Sequence, residues 1–155
     1  MKNACLKFWI LSWSLTVPLL RAQAPCDYTV ELKDPASKKV YVTLNITTIA
    51  ESPLTFFFPA WAPGNYKMCN FGQWIDSVQA FDRADQPLSV LRKSVNAWQI
   101  NNTKNISKIT YIARDIPDDS LDALPTSLSE IGTDYFFFNG PALFGYLKNH
   151  KNKKC

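Results

Sequence analysis

The side chains that could carry chemistry in this chain are few. His150 is the one histidine among 155 residues, and it lies in a lysine-rich run from Lys148 to Lys154. An exposed titrating imidazole is the plainer reading there. Catalytic triads and metal sites that need two imidazoles are therefore excluded within the chain. H-E-x-x-H, G-x-S-x-G and Gly-rich phosphate loops are all missing. Asp115, Asp118, Asp119 and Asp122 are the densest carboxylates. Calcium wants about six to eight oxygens, and an EF-hand needs D-x-D-x-D-G with a closing glutamate, which this spacing does not provide. A paired-carboxylate hydrolase would need one carboxyl in an apolar pocket. Solvated loop charges are the preferred reading.

The richest passage is aromatic. Phe56 to Phe71 reads F-F-F-P-A-W-A-P-G-N-Y-K-M-C-N-F. Pro59 and Pro63 lack amide donors and Gly64 tolerates positive φ. We therefore expect a strand ending at Phe58, a rigid turn, and a return to extended structure near Tyr66. Trp61, Tyr66 and Trp74 could together stack on a sugar, but core packing or an interface with another domain is the plainer use of such rings. Tyr135 to Leu147 forms a second cluster that mirrors the first in composition.

The elements that must position these rings are short strands. Tyr28 to Leu32 alternates and is broken by Asp34-Pro35-Ala36-Ser37. From Lys39, Val40, Val42, Leu44 and Ile46 share one face while Tyr41, Thr43, Asn45 and Thr47 share the other, as in a half-buried strand. Leu54 to Phe58, Ser77 to Phe81, Leu88 to Leu91, Ala97 to Ile100 and Ile106 to Ala113 follow, with a helical turn over Gly72 to Asp76. Asp115 to Asp134 has two prolines and five aspartates without a sustained period, and reads as a long surface loop. Short strands at regular spacing with no amphipathic helix predict an all-β fold, an antiparallel β-sandwich.

Met1 to Ala24 reads as a cleaved secretory signal peptide: Lys2 and Lys7, an apolar run from Phe8 to Leu20, then Ala22-Gln23-Ala24. The run is shorter than the roughly 20 residues of a membrane span and is broken by Ser12, Ser14 and Pro18. The expected location is secreted or periplasmic. Without Lys2, Lys7 and Arg21, 14 basic residues face 13 acidic ones, and the net charge falls from +4 to +1. The alkaline pI therefore does not indicate a nucleic-acid partner. Cys26, Cys69 and Cys155 remain, an odd number in a disulfide-permitting compartment. A Cys26–Cys69 bridge and a buried Cys69 thiol stay open as alternatives. Asn45-Ile46-Thr47, Asn101-Asn102-Thr103 and Asn105-Ile106-Ser107 fit the glycosylation acceptor pattern.

P-A-W-A-P-G-N-Y at Pro59 to Tyr66, with Asn70-Phe71 and Val78-Gln79-Ala80-Phe81, closely resembles the P-A-W-x-P-G-x-Y signature of M61 metallopeptidases of the glycyl aminopeptidase type. The signature belongs to their N-terminal domain. Phe138-Asn139-Gly140 and Leu143-Phe144-Gly145-Tyr146 resemble the aromatic stretch late in that domain, so the likeness spans essentially all of the chain beyond the leader.

The resemblance implies an N-terminal β-sandwich over residues 25–147, with 148–155 as a basic tail. It implies a thermolysin-like zinc domain as partner in a full-length parent, with peptide substrate reached only through that domain. No position here matches a zinc ligand or general base, so the expectation is a non-enzymatic chain without a cofactor of its own, truncated before the catalytic domain. Trp61, Gly64, Tyr66, Phe138, Asn139 and Gly140 are the candidates for contact with that domain or its cleft. The alternative is a freestanding secreted sandwich that binds glycan or peptide.

Overall fold

In a computed structural model of the chain, the described residues are 26–47, 52–63, 68–117 and 129–148. The expected leader and the basic tail beyond Lys148 lie outside them. Two sheets form the body. The first runs through β1 (Cys26–Glu31), β2 (Lys39–Ile46), β8 (Ile106–Arg114), β4 (Ile75–Asp82) and β5 (Pro87–Leu88), in the order β1-β2-β8-β4-β5. The second orders β11 (Tyr146–Leu147), β3 (Leu54–Phe57), β7 (Ala97–Ile100) and β6 (Val90–Ser94) as β11-β3-β7-β6. Every pairing is antiparallel. A small ribbon pairs β9 (Glu130–Ile131) with β10 (Phe136–Phe137).

The alternation in β2 becomes a core face. Val40, Val42, Leu44 and Ile46 are buried opposite Ala113, Tyr111 and Ile109 of β8. From the other sheet come Leu54, Phe56, Phe58, Trp98 and Ile100. Rings bridge the layers: the Tyr111 centroid lies 5.6 Å from that of Phe56 and 5.3 Å from that of Phe58, tilted or edge-on as aromatic quadrupoles prefer. Burying each such side chain stabilises the fold by about 1.5–3 kcal/mol. The antiparallel β-sandwich is the observed architecture.

Three local readings change. The expected strand Leu88 to Leu91 is two strands: Leu88 pairs with Ala80 in one sheet and Val90 with Ile100 in the other, so the chain crosses between layers at Ser89. Strands that switch sheets make the corners of such sandwiches. In β8 the partner register jumps from Lys108 to Ile106 against Phe81 and Asp82, a bulge that turns Ile106 inward beside Ile109. The Ser107 hydroxyl fastens it by donating to the carbonyls of Phe81 and Asp82, at 3.2 and 2.7 Å. The third change concerns the stretch from Asp115 to Asp134, which is not simply a surface loop. Ile116, Ser129 and Ile131 are buried, and Asp115 accepts from Ile131 N–H at 2.8 Å. Lys38 pairs with Asp115 at 3.3 Å and also donates to the Ile131 carbonyl. Asp118, Asp119 and Asp122 lie outside the described residues.

Candidate functional site

The aromatic passage begins as expected. In and just after β3, Leu54, Phe56 and Phe58 point into the core and Phe57 outward. The expected return to extended structure near Tyr66 lies outside the described residues, and 59–63 and 68–70 carry no strand. Instead Ala60 O accepts from both Cys69 N–H and Asn70 N–H at 2.8 and 2.9 Å, and Pro59 O accepts from Phe71 N–H at 3.2 Å. Pro59 has no N–H to return, so the exchange runs one way and a ladder cannot close. These bonds fix the mouth of the loop. Trp61 is 51% exposed and Met68 64%, while Ala62 and Cys69 are buried. Gly64 and Tyr66 lie outside the described residues.

Past the loop, Asn70 adopts a left-handed φ of 48° and leads into a 3-10 turn, Phe71–Trp74. Trp74 is half-buried and packs against the core. Gly72 allows the turn to lie against the β6–β7 connection, since a Cβ there would stand 2.4 Å from Val95 O. Its N–H donates to Asn96 Oδ1 at 2.9 Å, and Asn96 Nδ2 donates to Asn70 Oδ1 at 2.8 Å.

The second aromatic cluster comes to the first. Phe138 packs against the core and stacks on Phe136 at 6.4 Å. Asn139 N–H donates to Ser129 Oγ at 3.2 Å, and Asn139 caps the short helix α1 (Gly140–Leu143). That helix packs on the Phe71–Trp74 turn. Gly145 lies against the Phe56 ring, Tyr146 stacks on Phe57 at 5.8 Å, and the Tyr28 hydroxyl donates to the Gly145 carbonyl. Of the candidate residues here, Phe138 packs on the core, Asn139 is half-buried and Gly140 is exposed. Tyr28 and Gly145 lie in stretches that the sequence singled out without giving either a role at the site, and Asn96 was not singled out at all. Only Gly145, between two aromatics, carried a signal that could have found it.

The two sheets present different faces. The outward face of the five-stranded sheet carries Asp27, Glu31, Asp76, Lys108 and Arg114, with ion pairs Arg114–Asp76 at 2.6 Å and Lys108–Asp85 at 2.7 Å. On the four-stranded sheet the outward register positions are Thr55, Phe57, Leu91, Ser94, Ala97, Gln99 and Tyr146, of which Ala97 is buried. None of these strand positions is charged, and the exposed Lys148 stands just past β11, its N–H donating to Thr55 O. Charged, paired surfaces suit water, and an aromatic sheet face with uncharged strand positions suits a protein.

Among the described residues no three His, Cys, Asp or Glu side chains gather as a metal site, and no helix is long and apolar enough to cross a membrane.

A crystal structure of an aminopeptidase N family protein from Idiomarina loihiensis has the same fold, with a TM-score of 0.67 at 21% identity over 79% of this chain. The likeness covers 20% of that protein, so this chain spans about one fifth of its length. A search of curated proteins found no match. The Peptidase M61 N-terminal domain matches residues 27–155, and the chain belongs to that family.

Proposed function

We propose that this chain is the non-catalytic N-terminal sandwich of an exported M61-like zinc aminopeptidase, docking on the catalytic domain and helping to wall its substrate cleft. The observation that carries this reading is the run of uncharged strand positions on the outer face of the four-stranded sheet, with Phe57 and Tyr146 stacked among them and Lys148 only at the margin past β11. Trp61 and Met68 extend that apolar character at the end of β3. Domain interfaces of this kind are depleted in charge at their centres and enriched in aromatics and Met. The test supplies an M61 catalytic domain, expressed without its own N-terminal domain, as a second polypeptide. Co-elution with this chain is expected, along with no chelator-sensitive aminopeptidase activity from the chain alone. Zinc-dependent activity of the isolated chain, or failure to associate, overturns the reading.

Exposure of Trp61 favours one second reading, a freestanding module that binds glycan or peptide. Titration with glycan and peptide panels decides it: binding lost in Trp61→Ala supports it, and no binding removes it.

A further inference from the structure

We propose that the shallow cleft between the Phe71–Trp74 turn and the end of β6 is a carboxylate-binding site. It takes an acidic side chain or a chain-terminal carboxylate from a peptide or protein ligand. Gln73, Arg92, Lys93, Ser94 and Val95 line it. Arg92 faces Trp98 in the β6–β7 register, and its guanidinium carbon stands 5.0 Å from the Trp98 ring centre. Arg92 Nη2 donates to Gly72 O at 3.0 Å and to Val95 O at 3.1 Å, while Nε points to Ser94 O at 3.4 Å.

These contacts fix the plane of the guanidinium and use its Nε and Nη2 donors. Among the described residues the Nη1 donors make no hydrogen bond, and no carboxylate lies within ion-pair distance of Arg92 or Lys93. Other cations on the described surface, such as Lys39 and Lys104, also lack a carboxylate; Arg92 and Lys93 differ in lining one cleft together. The cleft therefore carries two adjacent cations without a counterion, one of them held still. A pre-oriented guanidinium loses little freedom on binding, and its planar fork matches a carboxylate.

On the turn side of the cleft the backbone amides are committed: Gly72 N–H serves Asn96 Oδ1 and Gln73 N–H serves Asn70 O. A planar guanidinium fork matches a carboxylate, and inorganic phosphate is the competitor that the test must include. The plain structural role of Arg92, capping Trp98, accounts for one edge of the guanidinium and leaves the other unexplained. Lys93 occupies the bulge between Arg92 and Ser94, where the strand register slips. A bulged Lys also discourages strand addition at the β6 edge, so the site is the cleft and not the edge.

The test is a chemical-shift titration of the full chain with three blocked tripeptides. Acetyl-Ala-Glu-Ala-amide carries only a side-chain carboxylate, acetyl-Ala-Ala-Ala only a terminal one, and acetyl-Ala-Gln-Ala-amide neither. At least one acidic peptide should shift the amides of Gln73 and of 92–95, and bind about tenfold more tightly than the neutral one, as one charge-assisted hydrogen bond would give. Whichever acidic peptide binds identifies the source of the carboxylate. Lys93→Gln, which touches no core residue, should weaken binding several-fold, and added salt should weaken it further. Arg92→Lys keeps the charge and loses the fork, and should weaken binding with the thermal transition retained. Equal binding of acidic and neutral peptides, shifts that map elsewhere, tighter binding of inorganic phosphate, or indifference to Lys93→Gln overturns the proposal. None of these arms involves the catalytic domain, so failure here leaves the docking reading untouched.

Discussion

Gly145 sits where a side chain has no room: a Cβ there would stand 2.4 Å from the Phe56 ring and 2.9 Å from Phe57 O. Both neighbours are fixed, one in the core and the other in the ladder. Gly145→Ala should therefore cost about 1–3 kcal/mol by overpacking, visible as a lower Tm with the fold retained. Tyr111 supplies a pH-dependent test. Burial, reinforced by the nearby Tyr28 and opposed by a backbone hydrogen bond from Gly145, raises its phenol well above the ordinary value. The folded state then holds this proton more tightly than the unfolded chain. Its contribution to stability is complete below about pH 10 and is lost as pH climbs toward the folded value. Tyr111→Phe should flatten that alkaline decline. It should also cost about 1 kcal/mol at neutral pH, because the Leu143 carbonyl loses the hydrogen bond made at 2.7 Å. Denaturant titrations at neutral and alkaline pH check both effects. The inward positions of Val40, Val42, Leu44 and Phe56 were legible from alternation. The clearance at Gly145 was not, because the atoms that crowd it come from a strand nearly ninety residues earlier in the chain.

At the scale of elements, β2 was legible end to end, because one wet face and one buried face impose a period of two. Where a strand serves two sheets or slips register, that period fails. Ser89 divides β5 from β6, and the bulge at Ser107 brings Ile106 inward; neither breaks the local hydrophobic pattern in a way sequence could flag. The same limit hid β9, whose order depends on contacts with Lys38 and Asp115 far away in the chain. Asp115→Ala should leave the Ile131 N–H without its acceptor, a loss of about 1–3 kcal/mol. Faster hydrogen exchange at Ile131, with β2 and β8 still protected, is the expected reading. Uniformly faster exchange across the sandwich would show that the clasp supports the whole fold and not the ribbon alone.

For the whole molecule, the two outer faces predict opposite responses to added charge. Leu91 is exposed on the four-stranded sheet and packs nothing that the core needs. Leu91→Asp should leave Tm nearly unchanged and abolish co-elution with an M61 catalytic domain, whereas Thr43→Asp on the five-stranded sheet should spare association. If both variants associate like the parent chain, the docking face is misplaced.

The sequence alone determined the family and the sandwich. P-A-W-x-P-G-x-Y and the alternating strands are local patterns, and turn chemistry and a two-residue period are local physics. Which of those residues are buried in the fold and which stay exposed was decided only by tertiary structure. Phe138 and Trp74 turned inward and Trp61 stayed exposed, while Phe57 and Tyr146 came together on a face with uncharged strand positions. Arg92 was set over Trp98 with its charge unpaired. The reason is that burial and charge pairing are properties of neighbours in space, and here most of those neighbours are distant in the chain.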